Sequence, residues 1–483
     1  MFFFKARRPE FQGYVDDLTG NRLSGWAADR IKPKKRQTVE VYCAGNLVAS
    51  VRADLFRQDL ANNGIGDGFF GFSCVIPEEN IHPETIAVKI RNSDFWLINN
   101  AVSHETVSQL DALLNSRSRG LPILNPGLSF KVLGEDDIEI AKDLLEAWQS
   151  HTGIKGSHDY IGHKTMWDEI VVRRHATLLD LLNGKNPRLL AEFLVNVQKS
   201  QASEGITQGE RSYRDFLSAT PEGRRAAVSS FHDMLASLVQ YMALERAECT
   251  EQNFDGSTLS FNTQQLVTRV ENALGHSIVS PLVFDGLFGL SVAGGILHGR
   301  DLQALYAALR AIEASAAAKP RLCEIGGGFG KAAYYAWLRG VRHYTIIDLP
   351  TVAAMQYFYL RKALPHVSIR FTEPSDMNTE DGIKLMFASH MKPNTRLSCD
   401  LVLNCDSFPE MGDAICRDYF ALIRTWAPLL LSINQEANRE IRGPHDRQTV
   451  VGQHLPDFGY TRIYRFRSWI RKGFIEELWA APR

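Results

Sequence analysis

At 483 residues the chain exceeds the roughly 250–300 residues at which a single hydrophobic core stops growing, so two or three domains are expected. Apolar and charged fractions of 45% and 23% are those of an ordinary globular protein. A formal net charge of −1 excludes the basic excess of a nucleic-acid binder and the acidic excess of a solvating tail. The cysteines (Cys43, Cys74, Cys249, Cys323, Cys399, Cys405 and Cys416) are odd in number and form no CxxC pair. That argues against a disulfide framework or a cysteine zinc site and for reduced thiols in a cytoplasmic protein. The start, Met1-Phe2-Phe3-Phe4-Lys5, puts apolar residues before the charges, the reverse of a secretory signal, and reads as a frayed or packed terminus. No apolar run reaches the about 20 residues of a transmembrane segment, so none is expected.

Residues 10–102 read as a small all-β, sandwich-like domain. Thr38–Tyr42 and Ala87–Ile90 alternate as strands do, and clusters such as Ala44-Gly45-Asn46 and Gly64–Gly68 punctuate them. Its landmarks, Gly25-Trp26-Ala27, Arg52–Leu55 and Gly64–Gly68 followed by Gly71-Phe72, resemble an accessory β domain attached to bacterial glycan-processing enzymes. Trp26 has two readings, a sugar-stacking ring or a core tryptophan, and the core reading is favoured. Residues 103–130 read as a linker.

Residues 131–300 read as mainly helical. Asp136 and Asp137 can cap a helix through Ile140, Leu144, Leu145 and Trp148, and further amphipathic runs cover Thr177–Leu182, Leu189–Gln198 and Ala226–Leu244. Such a region serves either as a substrate lid or as a surface for a homo-oligomer. Lys155–Tyr160, His163, Lys164 and Trp167 are dense in polar and aromatic groups and are candidates for acceptor contact, with a solvated loop as the plainer reading.

Residues 301–483 change to strand–helix alternation. Strands are expected at Arg321–Ile325, His343–Ile347, Ser368–Phe371, Asp400–Asn404 and Leu429–Ile433, with a closing hairpin of Thr461–Arg467 and Phe474–Ala480. Five crossover strands and an antiparallel C-terminal hairpin make the seven-strand, Rossmann-like α/β plan of class I methyltransferases.

The sharpest local signal is Glu324-Ile325-Gly326-Gly327-Gly328-Phe329-Gly330-Lys331, a buried strand ending in an acid and then a glycine turn that opens a helix. A dinucleotide fingerprint GxGxxG would need glycine where Lys331 stands. Glycines at Gly326, Gly328 and Gly330 behind Glu324 instead match the E/DxGxGxG form. That form suits S-adenosylmethionine, whose cationic methionine end can meet the acid and which has no pyrophosphate to cradle. About 20 residues on, Asp348 ends the next strand, where a carboxylate can accept hydrogen bonds from both ribose hydroxyls. A helix cap before Pro350 is its alternative. Ser375-Asp376-Met377 follow the third strand, where Asp376 can bond the adenine amino group and Met377 can pack on the ring; a surface turn reads equally well.

Glu324–Gly330, Asp348-Leu349-Pro350 and Asp400–Met411 together resemble the bacterial sugar O-methyltransferases, and the Asp-Leu-Pro triplet also resembles the plant-type small-molecule O-methyltransferases. The resemblance covers about the last 180 residues. It implies methyl transfer from S-adenosylmethionine to a sugar hydroxyl in surface-polysaccharide or glycoconjugate synthesis, on a free, nucleotide-linked or lipid-linked sugar. It also implies a cofactor set of Glu324, Gly326, Gly328, Gly330, Asp348, Leu349, Asp376, Met377 and Asn404. The plant-type enzymes carry a His-Asp pair in the fourth-strand segment; here Cys405 stands at the histidine position.

A sugar hydroxyl is a poor nucleophile, so a general base is expected at the carboxyl ends of the strands. The candidates are Asp406 and Glu410 after the fourth strand, Glu436 after the fifth and His445 in the following loop, with His390 and Asp446 as further options. Asp406, Glu410, Glu436, His445 and Asp446 also carry donors suited to a divalent metal, which is the less favoured expectation. Small aromatic acceptors, a nicotinamide oxidoreductase and a non-catalytic glycan-binding protein are the competing readings; Lys331 argues against the oxidoreductase.

Overall fold

The computed structural model describes residues 10–19, 21–43, 46–77, 86–99, 126–151, 171, 173–246, 261–374, 380–437, 440–443 and 446–482. The chain divides into two compact units, Met1–Arg119 with Ser218–Ala226, and Gly120–Leu217 with Ala227–Arg483.

The first unit contains β1 (Phe11–Thr19), β2 (Arg22–Asp29), β3 (Thr38–Cys43), β4 (Asn46–Arg52), β5 (Leu55–Phe56), α1 (Gln58–Asn62), β6 (Phe69–Val75), β7 (Ile86–Ile90) and β8 (Ile98–Asn99). They form a five-stranded sheet, β5-β6-β2-β1-β8, and a three-stranded sheet, β4-β3-β7. The alternation of β3 puts Val39, Val41 and Cys43 inward, where they share one core with Val88 and Ile90 of β7 and with Leu23, Ala27 and Phe72 of the larger sheet. Gly25 is required because a Cβ there would lie 2.3 Å from the Tyr14 carbonyl oxygen. Trp26 is buried against Tyr14, Leu60 and Phe70, so it is a core residue and presents no sugar-binding face.

The second unit opens with a small sheet of β9 (Pro126–Leu128), β10 (Phe288–Val292) and β11 (Gly295–Leu297). The helices before the main sheet are α2 (Glu135–His151), α3 (Ala176–Asn183), α4 (Pro187–Val195), α5 (Glu210–Ser218), α6 (Pro221–Tyr241), α7 (Thr263–Leu274) and α8 (Gly299–Ser315), of which Ser218 and the start of α6 through Ala226 fall to the first unit. The four amphipathic runs expected from the sequence fall on α2, α3, α4 and α6, the third and fourth running three residues past the ends of α4 and α6. Asp137 is buried in the first turn of α2, where it accepts the Gly134 N–H (2.8 Å) and pairs with Lys131 (2.7 Å).

The main sheet contains β12 (Arg321–Ile325), β13 (His343–Asp348), β14 (Ile369–Phe371), β15 (Gly382–Phe387), β16 (Leu401–Cys405), β17 (Leu429–Gln435), β20 (Thr461–Arg467) and β21 (Phe474–Ala480). A two-stranded ribbon, β18 (Glu440–Gly443) and β19 (Asp446–Arg447), precedes β20. The order is β14-β15-β13-β12-β16-β17-β21-β20, parallel from β14 to β17, with β21 antiparallel to β17 and β20 antiparallel to β21. With β15 left out, the order β14-β13-β12-β16-β17-β21-β20 is the class I methyltransferase order, and all seven expected strands are present. The addition is β15, which inserts between β14 and β13. Every residue of β15 is buried, so its sequence shows no alternation to mark it as a strand.

The connecting helices are α9 (Lys331–Leu338), α10 (Pro350–Ala363), α11 (Phe408–Met411), α12 (Asp413–Trp426) and α13 (Val451–His454). Ile415, Phe420, Ile423 and Trp426 of α12 build one core with β16 and β17. The other core joins Ala333, Tyr335 and Phe358 of α9 and α10 to Leu144, Leu145 and Trp148 of α2, and the Trp148 ring lies 5.6 Å from that of Phe387. Residues of α2, α3, α4, α6, α7 and α8 therefore share a core with the sheet, and Gly205–Thr207 reaches the cavity at its carboxyl edge.

Candidate active site

Strand β12 has β13 on one side and β16 on the other, so the order of the sheet reverses at its carboxyl end. In open α/β sheets that switch point is where ligands bind. One cavity opens there, walled by the glycine turn, the ends of β13 and β16, α11, the start of α8 and the segment Gly205–Thr207.

The glycine turn is shaped by close approach. Gly326 has φ +73°, and a Cβ there would lie 2.2 Å from Ser407 Oγ. Gly328 faces the cavity, where a Cβ would meet only Ile206, at 3.6 Å. Gln356 of α10 pins the turn: its Nε2 donates to the Gly328 carbonyl (2.9 Å) and to Asp348 Oδ2 (2.8 Å). Its Oε1 is buried without a partner.

Glu324 and Asp348 both line the cavity and are both buried. Tyr344 donates its hydroxyl to Glu324 Oε2 (3.0 Å). Burial pushes the Glu324 carboxyl up to about 7, and the like charge of Asp348 adds to this. Burial also raises Asp348 to about 7, against the opposing pull of the Leu349 N–H (2.8 Å) and Gln356. Leu349, not Asp348, is the N-cap residue of α10. Asp348 lines the cavity with its oxygens already accepting from Leu349 and Gln356, and Leu349 lines the same wall.

On the β16 side, Asp406 has φ +70°, a left-handed conformation that aspartate tolerates better than most residues. Arg300 of α8 (3.2 Å) and Arg471 of the β20–β21 turn (2.6 Å) both donate to its Oδ2, which leaves Oδ1 outside both contacts. Burial pushes the Cys405 thiol up to about 12, with the Asp406 charge second, so the thiol stays protonated and cannot act as a base near neutral pH. Glu410 reaches the cavity from α11.

Three expected site residues stand elsewhere. Asn404 is fully buried and does not line the cavity. Its Nδ2 donates to the Ile325 carbonyl (3.0 Å) and Ser407 Oγ (2.6 Å), and its Oδ1 accepts from Asn434 (2.9 Å). It fastens the end of β16 to the glycine turn, with no polar atom to spare for a cofactor. Glu436 is held bidentate by Arg465 (2.8 and 2.8 Å), which lowers its carboxyl, and it stands off the cavity wall. His390 lies 2.9 Å from Glu373 and against the Phe387 ring, also away from the cavity. Asp376, Met377, His445 and the cluster from Lys155 to Trp167 lie outside the described residues. Among the described residues, no group of three or more His, Cys, Asp or Glu side chains is placed to hold a metal ion.

The helical stretch supplies what sequence reasoning missed. His298, the N-cap of α8, is buried: its Nδ1 accepts the Arg300 N–H (2.9 Å), while Nε2 faces the Gln208 carbonyl (3.0 Å) and Thr207 Oγ1 (3.3 Å). Burial, aided by the Lys331 charge, holds the imidazole neutral, and the Gln208 carbonyl places its proton on Nε2. One ring thus sets both Thr207 and Arg300 at the cavity. Lys331, which opens α9, is buried and donates to Asp301 (2.5 Å) and Ser280 (3.1 Å). The capping pattern His298-x-x-Asp301 was the available signal.

No protein-family model matches the chain, and no curated protein matches it significantly. Several solved structures are similar to it. The glycopeptide N-methyltransferase MtfA complexed with S-adenosyl-L-homocysteine is 15% identical over 37% of this chain and 90% of that one, with a TM-score of 0.28. Magnesium protoporphyrin IX methyltransferase (ChlM) from Synechocystis PCC 6803 is 9% identical over 38% and 84%, with a TM-score of 0.29. The [4+2]-cyclase SpnF is 13% identical over 38% and 82%, with a TM-score of 0.27. These proteins differ in reaction among themselves, so the likeness says nothing of an acceptor.

Proposed function

We propose that the cavity binds S-adenosylmethionine and that the protein transfers its methyl group to a hydroxyl oxygen of a sugar. The observation that carries this reading is the pair of buried carboxylates, Glu324 and Asp348, flanking a glycine turn whose backbone lies open to the same cavity. The donor set fits the cofactor: one acid for a cationic amino-acid end, and one acid for the ribose hydroxyls. When bound, S-adenosylmethionine supplies a methyl group made electrophilic by its sulfonium.

The remaining work falls to the chain. Glu324 accepts from the ammonium, Asp348 accepts from the ribose hydroxyls, and Leu349 packs on the adenosine. Asp406 Oδ1 is the base we assign to the acceptor hydroxyl, oriented by the two arginines on Oδ2; the hydroxyl proton passes to it as the oxygen attacks. Glu410 lines the acceptor side. Thr207, Arg300 and Gln303 give that wall polar donors and acceptors of the kind a polyhydroxylated ring needs. The resemblance of Asp400–Met411 to sugar O-methyltransferases supports the same acceptor, in bacterial polysaccharide or glycoconjugate synthesis.

The test is incubation with methyl-labelled S-adenosylmethionine and three acceptor panels: free sugars, nucleotide-linked sugars and phenols. An alkali-stable methyl ether on a sugar is the expected product. Label confined to phenols, or no label in any panel, would overturn the sugar assignment.

A further inference from the structure

The outward face of the three-stranded sheet in the first unit holds an aromatic pair that its core does not require. The alternation that buries Val39, Val41 and Cys43 leaves Glu40 and Tyr42 on the outer face of β3, and Lys89 beside them on β7. Trp96 bridges back to Lys89 and is 49% exposed, whereas Trp26 of the same unit is buried. The Trp96 and Tyr42 ring centroids are 5.6 Å apart with their planes inclined at 59°. The Tyr42 hydroxyl donates to Glu40 Oε2 (3.0 Å), Arg91 Nε stands 3.1 Å from Glu40 Oε1, and Lys89 Nζ lies over the indole at 5.4 Å from its centroid.

We infer that Tyr42 and Trp96 form a carbohydrate-binding platform that takes a neutral pyranose ring. A half-open indole inclined to a second ring offers a shallow apolar seat for the C–H face of a sugar, and aromatic side chains with polar tips suit such half-wet surfaces. Glu40, Lys89 and Arg91 rim the seat with both acceptors and donors, as a ring of hydroxyls demands. Their charges also discriminate. Glu40 and Asp94 cancel Lys89 and Arg91, so the patch has no net field to recruit a polyanion such as nucleic acid or an acidic lipid surface. A neutral polyhydroxylated ligand is what remains complementary. The inference rests on the first unit alone and stands or falls independently of methyl transfer.

The test is native electrophoresis of the full chain through gels containing dextran, laminarin, galactomannan or hydroxyethylcellulose, with heparin as a polyanion control. At least one neutral polysaccharide should retard the wild type. Trp96→Ala and Tyr42→Ala should each weaken that retardation at least tenfold in apparent Kd. Phe56→Ala, which removes another half-exposed ring in the same unit, should leave it unchanged. Thermal melts check that each variant folds, and Trp96→Phe, which keeps a ring, should retain part of the retardation. Retardation by heparin alone, by none of the gels, or equally in Trp96→Ala would overturn the inference.

Discussion

Glu324 pairs in register with Ile346, two residues before Asp348, so Glu324 and Asp348 project from the same face of neighbouring parallel strands into one cavity. Two buried acids that close to each other are costly to ionise without a cation, and both are raised to about 7.

Removing Asp348 therefore tests the ribose contact. Asp348→Ala deletes an acceptor of charge-assisted hydrogen bonds worth about 1.5–3 kcal/mol each. Affinity for S-adenosylhomocysteine should fall by about 10- to 100-fold, read by calorimetric titration. Asp348→Asn, which keeps the Gln356 and Leu349 contacts partly satisfied, should lose less.

The raised carboxyls also set a pH dependence. Cofactor binding favours both groups ionised, so it releases protons, and affinity should rise as pH increases from about 6 to 8. Stability of the ligand-free protein should move the other way. An acid with a raised folded value contributes stability that is full below its unfolded value near 4 and lost as pH rises through about 7. Melting temperatures with and without S-adenosylhomocysteine across this range should diverge as pH rises; parallel curves would exclude these two groups as the linked sites.

Asp406→Asn keeps the size and the arginine contacts but removes the base. Turnover should fall by about 10²- to 10⁴-fold, while affinity for S-adenosylhomocysteine stays within about twofold. A matching loss of cofactor affinity would instead place Asp406 on the cofactor side.

Glu476 of β21 is fully buried and accepts from Tyr306 (2.5 Å), Arg310 (2.7 Å) and Tyr464 (2.9 Å), tying α8 to the sheet. Glu476→Ala leaves the Arg310 guanidinium buried without its principal partner, and should cost about 3–5 kcal/mol in urea unfolding. Because α8 carries Arg300, turnover at low temperature should fall in parallel.

Much of this was legible in the residues. The glycine turn, Glu324 and Asp348 could be read because each ends a buried apolar run at a spacing the chemistry dictates. The hidden parts share a cause, that local patterns do not report long-range partners. Strand β15 is buried along its whole length, so it lacks alternation, and its buried Lys384 disguises it further. Asn404 reads as a polar strand end facing a ligand until Ile325, Ser407 and Asn434 are seen to occupy it. Glu436 reads as a candidate base until Arg465, 29 residues on, is seen to hold it. Arg300 and Thr207 belong to a stretch whose periodicity announces only helices, and His298 joins them through a contact spanning 91 residues.

The central claim is tested most directly by calorimetric titration of the full chain with S-adenosylhomocysteine and, separately, with NADH, for the wild type and Asp348→Ala. The account predicts saturable binding of S-adenosylhomocysteine by the wild type, weakened in the variant, and no binding of NADH. Binding of NADH, or no binding of S-adenosylhomocysteine at pH 8 with or without sugar acceptors, would contradict it.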